Sequence, residues 1–346
     1  MITAIDFGCY AIRAAYRSPA TSSQITLYSE RAEYAMLPNQ DSFREALSDR
    51  RIAHAECDDS IVVFGNRAGL VRWLSRRPCA PLFTDGGVPT KDAPARQILS
   101  VLTKALLPAV PPPGSLCCLT VPGGRERGSS AEFLSRIVTM LGFEPLVVSS
   151  AESVLLAAGA QTSFTGVAVV LGAETSEVSV CRHGVELAAR TIAVGTNWID
   201  TELAKQFRIQ VWDEQGECYL DLESVRRWKH DQRIHLRNGV GERDKSLSRL
   251  YGSMLNQVAT TVRDLLQAPQ VKARIGNERL NVICAGGATQ VGGFTSALTE
   301  RFVDHDVAGD ILSVRMVSDP SNAVVRGLLI HGELEQRRRE PLKGAA

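Results

Sequence analysis

Residues Ala4-Ile5-Asp6-Phe7-Gly8-Cys9-Tyr10-Ala11-Ile12-Arg13-Ala14-Ala15-Tyr16 read as an apolar strand, a glycine turn and a second strand. The same order returns without a gap at Ala168-Val169-Val170-Leu171-Gly172-Ala173-Glu174-Thr175-Ser176-Glu177-Val178-Ser179-Val180. A repeat of this kind marks two duplicated halves, each opening in a β-hairpin, with the paired turns facing one another across a cleft. A glycine turn presents backbone N–H groups to whatever lies above it, and that concavity suits phosphate oxygens. Asp6, just before the first turn, is placed to hold a hydrated cation that would neutralise such phosphates.

The rest of the chain agrees with an α/β reading. Short strand-like runs lie at Leu116 to Val121, Leu146 to Val148 and Val282 to Ala285. Between Ser246 and Leu266 apolar residues recur at helical spacing, and Ser129 or Ser130 is placed to cap a helix that buries Phe133, Leu134, Ile137 and Val138. Strands alternating with helices give an α/β fold. Pro108 to Gly114 cannot continue a helix and delivers the chain to the strand at Leu116.

Composition excludes several classes. The 346 residues carry 39 Lys+Arg against 38 Asp+Glu, a net charge of +1, which argues against a nucleic-acid binder held by a general basic field. With 44% hydrophobic and 22% charged residues the chain is globular, and its length suits about two compact units. No stretch is long and apolar enough to span a bilayer and no basic leader precedes Ile2, so the expectation is a soluble, cytoplasmic protein without a membrane anchor. The eight cysteines show no CxxC pair and read as reduced and mostly buried, and the six histidines form no metal motif. Gly239 to Ser246, GVGERDKS, misses a phosphate loop because Asp244 replaces the glycine before Lys245. Trp73, with Val71 and Leu74, is expected to pack into a core rather than form an apolar surface.

An ordered set of further motifs carries a family resemblance. Asp6-Phe7-Gly8 with Arg13, Gly172 to Val178, and Ala285-Gly286-Gly287-Ala288 followed by Val291-Gly292-Gly293-Phe294 resemble the two phosphate loops and the adenosine motif of the actin-like ATPase superfamily. That superfamily contains actin, the heat-shock chaperone ATPase domain and sugar kinases. Leu119 to Pro122, Ala151 to Gly159, Gly195 to Asp200, Ile61 to Ala68 and Asp319 to Gly327 extend the resemblance along the whole chain, which looks most like the bacterial rod-shape (MreB-like) actins. The resemblance implies a two-lobed, duplicated ribonuclease H-like fold with a central nucleotide cleft. Its first lobe would span 1–148, with an insertion at about 21–81, and be completed by a helix at about 323–336. Its second lobe would span 149–322, with an insertion at about 201–245, leaving 337–346 as a basic tail.

The resemblance also implies ATP or ADP with Mg²⁺, the metal held through water by Asp6. Nucleotide contacts would fall to Asp6, Gly8, Cys9 and Arg13, to Gly172, Ala173, Glu174 and Thr175, and to Gly195, Glu223, Arg226, Gly286, Gly287 and Ala288. Arg13 is either a phosphate contact or a solvent-facing strand residue. Glu152 matches the family's water-orienting glutamate, although the Pro that usually follows it is Ser153; its plain alternative is a helix N-terminal acid favoured by the dipole.

The second loop departs from the family pattern. Its opening Asp is Val170, which cannot ligate a cation, and the two positions after Gly172 are Ala173 and Glu174 instead of glycines. A carboxylate about 4 Å from a phosphate charge costs about 4 kcal/mol at an effective dielectric of 20, roughly a thousandfold in affinity. Glu174 must therefore either swing away or approach the metal itself. The implied function is an actin-like nucleotide-binding protein of filament-forming kind, self-associating into protofilaments, with weakened or lost hydrolysis. The rival is a non-catalytic scaffold that keeps the fold and recruits protein partners. A sugar kinase ranks below both, since Asp200 lies in a helix motif and not beside an acceptor hydroxyl.

Overall fold

In the computed structural model, which describes residues 1–17, 24–57, 59–124, 128–231 and 234–339, the two hairpins are the centres of two five-stranded sheets. The first is built from β1 (Ile2–Phe7), β2 (Ala11–Arg17) and β3 (Ile25–Arg31). An insertion follows: β4 (Glu33–Pro38), α1 (Asp41–Asp49), β5 (Ala55–Cys57), β6 (Ser60–Phe64), α2 (Arg72–Ser75) and β7 (Ala80–Pro81). The chain then returns through α3 (Ala93–Leu106), β8 (Leu116–Thr120), α4 (Gly128–Met140) and β9 (Glu144–Val147). Strand order is β3-β2-β1-β8-β9, with β1 and β2 antiparallel and β1, β8 and β9 parallel.

The second half repeats the plan. It runs α5 (Ser150–Ala158), β10 (Gly166–Leu171), β11 (Ser176–Arg182), β12 (Val185–Ile192) and α6 (Thr196–Gln206). A small β13 (Gln210–Trp212) and β14 (Cys218–Leu220) hairpin precedes α7 (Leu222–Lys229), α8 (Glu242–Gln267) and α9 (Pro269–Ile275). It closes with β15 (Leu280–Ala285), α10 (Phe294–Asp304), β16 (Ile311–Met316) and α11 (Ala323–Arg339). The sheet order β12-β11-β10-β15-β16 mirrors the first. The repeat extends to register: Asp6 pairs with Arg13 across the first ladder, and the equivalent Val170 pairs with Glu177 across the second. The fold is two-lobed and α/β.

Each lobe has its own core, and a third joins them. Tyr251, Met254, Leu255, Val258 and Val262 bury the predicted stripe of α8 against the second sheet. Each such side chain contributes roughly 1.5–3 kcal/mol on burial. Between the sheets α5 and α11 cross, contributing Ala151, Val154, Leu155, Val324 and Leu328 to the joining core. They pass so close at Gly327 that a Cβ there would sit 1.7 Å from the Ser153 carbonyl oxygen.

Several expectations need correction. Ile25–Arg31 belongs to the main sheet, where it pairs with β2, so the first insertion begins after it and not near residue 21. The C-terminal helix continues through Arg339, which reaches Glu144 at 2.7 Å and Glu335 at 2.9 Å; the rest of the expected tail, 340–346, lies outside the described residues. Trp73 is half exposed, with the Arg50 guanidinium 4.3 Å over its ring, because Val71 alone of that trio is fully buried. α4 already begins at Gly128, and Ser130 instead accepts from the Val88 amide at 3.0 Å. Cys57 and Cys218 are exposed, whereas Cys117, Cys118, Cys181 and Cys284 are buried.

Candidate functional site

The first hairpin places Asp6 at the floor of a cavity of about 750 Å³ between the lobes. Its carboxylate accepts from Thr120 Oγ1 at 2.7 Å and lies 3.9 Å from Arg13 Nη1. Burial pushes the Asp6 pKa up, and the Arg13 charge and Thr120 hydrogen bond only partly oppose this. A further positive charge beside Asp6 would therefore be stabilising. Arg13 is mostly buried and lines the same cavity, so its place is in the cleft and not at the solvent face. At the turn, a Cβ on Gly8 would lie 2.8 Å from the Ala11 carbonyl oxygen, which keeps the turn free of side chain.

The second hairpin carries its acid on the opposite strand. Val170 offers no ligand, but its cross-strand partner Glu177 also lines the cavity. Glu177 accepts from the Ser149 hydroxyl and from the Ala151 amide at 3.3 Å, at the N-terminus of α5. Burial raises its pKa despite those bonds.

Glu174 is drawn sideways into a chain of polar contacts. It accepts from Asn197 Nδ2, and Asn197 Oδ1 accepts from Arg226 Nη2 at 2.9 Å. Arg226 Nε lies 3.3 Å from Asp200 Oδ2, and Asp200 Oδ1 accepts from the buried Lys229 Nζ at 2.5 Å. Desolvation lowers the Lys229 pKa, opposed by Asp200. Gly195 lets α6 approach this hairpin, since a Cβ there would lie 2.3 Å from the Ala173 carbonyl oxygen.

The third wall is the glycine loop after β15. Gly286 has φ +99° and a Cβ on it would lie 2.2 Å from the Leu171 carbonyl oxygen, so no other residue fits. A Cβ on Gly287 would meet nothing within 4 Å and would project into the open cleft.

Most expected site residues converge here. Asp6, Gly8, Cys9 and Arg13 line the cavity from one side; Gly172, Ala173, Glu174 and Thr175 line it from the other. Arg226, Gly286, Gly287 and Ala288 complete it. Gly195 and Glu223 instead line an adjoining cavity of about 1050 Å³ nearer the insertions. Glu152 lines neither: it is buried, with Oε1 3.8 Å from His331 Nδ1 on α11. Sequence reading missed Thr120, Glu177 and Lys229. Glu177 had a usable signal, because the repeat aligns it with Arg13.

A family model for Volactin matches residues 1–332. The chain belongs to the Volactin family. No curated protein matches it. Among solved structures, this Volactin-family chain is similar to the MamK double helical filament, with 16% identity over 96% of this chain and 98% of that one, at a TM-score of 0.69. It is similar to MreB5 of Spiroplasma citri bound to AMPPNP, with 16% identity over 98% of both chains and a TM-score of 0.68. The ethanolamine utilization protein EutJ from Carboxydothermus hydrogenoformans follows at 16% identity over 95% and 88%, with a TM-score of 0.52. At these identities the likeness is one of fold, and that fold is the actin-like one.

Proposed function

We propose that this protein binds ATP or ADP between its lobes, hydrolyses ATP weakly or not at all, and self-associates into filaments. The observation that carries the reading is the cavity walled by two hairpin turns and a glycine loop, in which Gly8, Gly172 and Gly286 each lie too close to backbone to carry a Cβ. The open Gly287 face leaves room for a nucleoside, and Arg13 supplies charge for phosphates. The similar MreB5 chain was solved with AMPPNP and with ADP, and MamK as a filament.

The residues fit a nucleotide better than a resident metal. Among the described residues no cluster of three metal-ligating side chains exists. A Mg²⁺ arriving with the phosphates would neutralise their charge, with Asp6 as its protein carboxylate. The chain's own contribution is to hold Asp6 between Thr120 and Arg13, and to tie Glu174 to Asn197, where the amide and Arg226 offset its charge. The reading of weak hydrolysis is supported by Val170, which offers no ligand, and by Glu152, which does not line the cavity.

Titration with a fluorescent ATP analogue, with and without Mg²⁺, tests the reading; no binding at millimolar nucleotide overturns it. Light scattering on ATP addition tests the polymer. The absence of Glu152 from the lining of the cavity favours one rival, a non-catalytic scaffold that recruits protein partners. The triple change Val170→Asp, Ala173→Gly, Glu174→Gly separates them: a large gain in binding or phosphate release marks a decayed ATPase, and no gain favours the scaffold.

A further inference from the structure

Three ion pairs cross between the lobes at the mouth of the cleft, and in each the cation comes from the first lobe. Arg31, ending β3, lies 3.4 Å from Glu223. Arg72 on α2 lies 3.0 Å from Asp221, and Arg77 lies 2.8 Å from Asp213. Every cation comes from residues 31–77 and every anion from residues 213–223, so each pair joins one lobe to the other.

The two sides are not equivalent. Asp213 is held by the amides of Gln215 and Glu217, both at 2.9 Å, and Asp221 caps α7 through the Ser224 amide at 3.2 Å and hydroxyl at 2.6 Å. Burial disfavours their charge, but these bonds and the arginines outweigh it and hold both carboxyls below the usual range. The sockets are thus anions fixed within the second lobe whether or not the arginines are present. Two of the arginines are exchangeable: Arg77 is 46% exposed, and Arg31 has Glu33 of its own lobe at 3.1 Å to fall back on. Arg31 also stacks 4.0 Å over Tyr10, the tip of the first hairpin, so this contact reaches the candidate phosphate turn. At the other end the lobes are joined by the backbone contact of α5 and α11, a hinge that cannot easily part.

We infer that Arg31, Arg72 and Arg77 form an ionic clasp that sets how long the cleft stays closed, and that ionic strength opens it. The identity of the ligand released rests on the nucleotide reading above; the lobe motion does not. These pairs are part-buried, with only Arg77 near half exposure, so salt screens them incompletely and each is individually weak, which still suits a contact that must be made and broken.

The test labels the two exposed cysteines, Cys57 on the first insertion and Cys218 on the second, with nitroxides and measures their separation by pulsed electron resonance. In the unmodified chain, raising salt from about 0.05 to 1 M lengthens the separation, as the Debye length shrinks from above 10 Å to about 3 Å. In Arg72→Gln/Arg77→Gln the open population rises roughly two- to thirtyfold and its salt response is blunted. Dissociation of the fluorescent ATP analogue accelerates by the same factor. Identical separations and salt responses in both proteins overturn the clasp. If the parent binds no nucleotide, the functional reading falls, and the separation alone decides the clasp.

Discussion

Replacing Gly327 by alanine tests the hinge on which the two-lobed arrangement depends. In an exposed helix interior, Gly→Ala stabilises by about 1 kcal/mol through lost unfolded-state entropy. At Gly327 the new Cβ would fall 1.7 Å from the Ser153 carbonyl oxygen and 2.4 Å from its carbon, where an ordinary contact begins at 3.4 Å. Both are backbone atoms of α5, so no rotamer relieves the clash, and the helices must separate by over an ångström. A gap of 0.5–1 Å already forfeits a quarter to a half of the dispersion between facing atoms. The surfaces pulled apart include Val154, Leu155 and Leu328, all fully buried. Overpacking costs 1–3 kcal/mol or more, and with rigid backbone on both sides a net loss of about 2–4 kcal/mol is expected even after the propensity gain. Gly252, inside α8, is the control, since its Cβ would meet nothing within 4 Å. At about 2.1 cal/mol/K per residue, 1 kcal/mol moves the midpoint of a chain this long by roughly 1–2 °C. Calorimetry should therefore show Gly252→Ala raised by about 1–2 °C and Gly327→Ala lowered by about 3–6 °C. A Gly327→Ala midpoint at or above that of the parent would refute the close crossing and the rigid hinge with it.

Three other outcomes follow from the cleft. Burial raises the Glu177 pKa, so the folded state holds its proton more tightly than the unfolded one; the stability this gives is present at low pH and is lost as pH rises through the folded pKa. Glu177→Gln keeps an acceptor for Ser149 and Ala151 and should gain stability over the parent progressively above the ordinary glutamate value of 4.5; parallel pH–stability curves from denaturant titrations would contradict this. Lys229→Met strands part of the buried Asp200 charge at a cost of about 3–5 kcal/mol, and adding Asp200→Asn should recover most of it, as read by denaturant midpoints. Asn197→Asp sets a second carboxylate against Glu174 and should weaken nucleotide binding at least tenfold in fluorescence titration, an effect that disappears in the Glu174→Gly background.

The fold was legible because a thirteen-residue pattern repeats in sequence and in register, Asp6 against Arg13 and Val170 against Glu177. Glycine spacing was equally readable, since backbone approach tolerates no Cβ at Gly8, Gly195 or Gly286. Directions of charged side chains were not. Glu152 sits where a helix dipole favours an acid, and α11, far away in sequence, brings His331 to within 3.8 Å of it. The insertion boundary failed for a similar reason: whether Ile25–Arg31 stays with the main sheet depends on its seven-residue register with β2, which composition does not encode.

Glu174 shows how a local rule can be right in its energetics and incomplete in its consequence. A carboxylate in a phosphate turn is repulsive, and so is a carboxylate opposite another at the start of α6; this chain has an amide there, Asn197, which donates to Glu174 and accepts from Arg226. Arg226 in turn shares Asp200 with Lys229. The negative charge added to the turn is thus met by an amide and two cations, with Asp200 shared between them, along the same cavity wall. The missing carboxylate at Val170 has its counterpart across the same ladder in Glu177, whose pKa burial pushes up. Relative to a turn with an opening Asp and bare glycines, this site lacks a carboxylate at the strand end and carries one at the tip. On the nucleotide reading proposed above, such a site lacks the second carboxylate that would position a metal and water for cleavage, and the loop-restoring triple change would measure that difference.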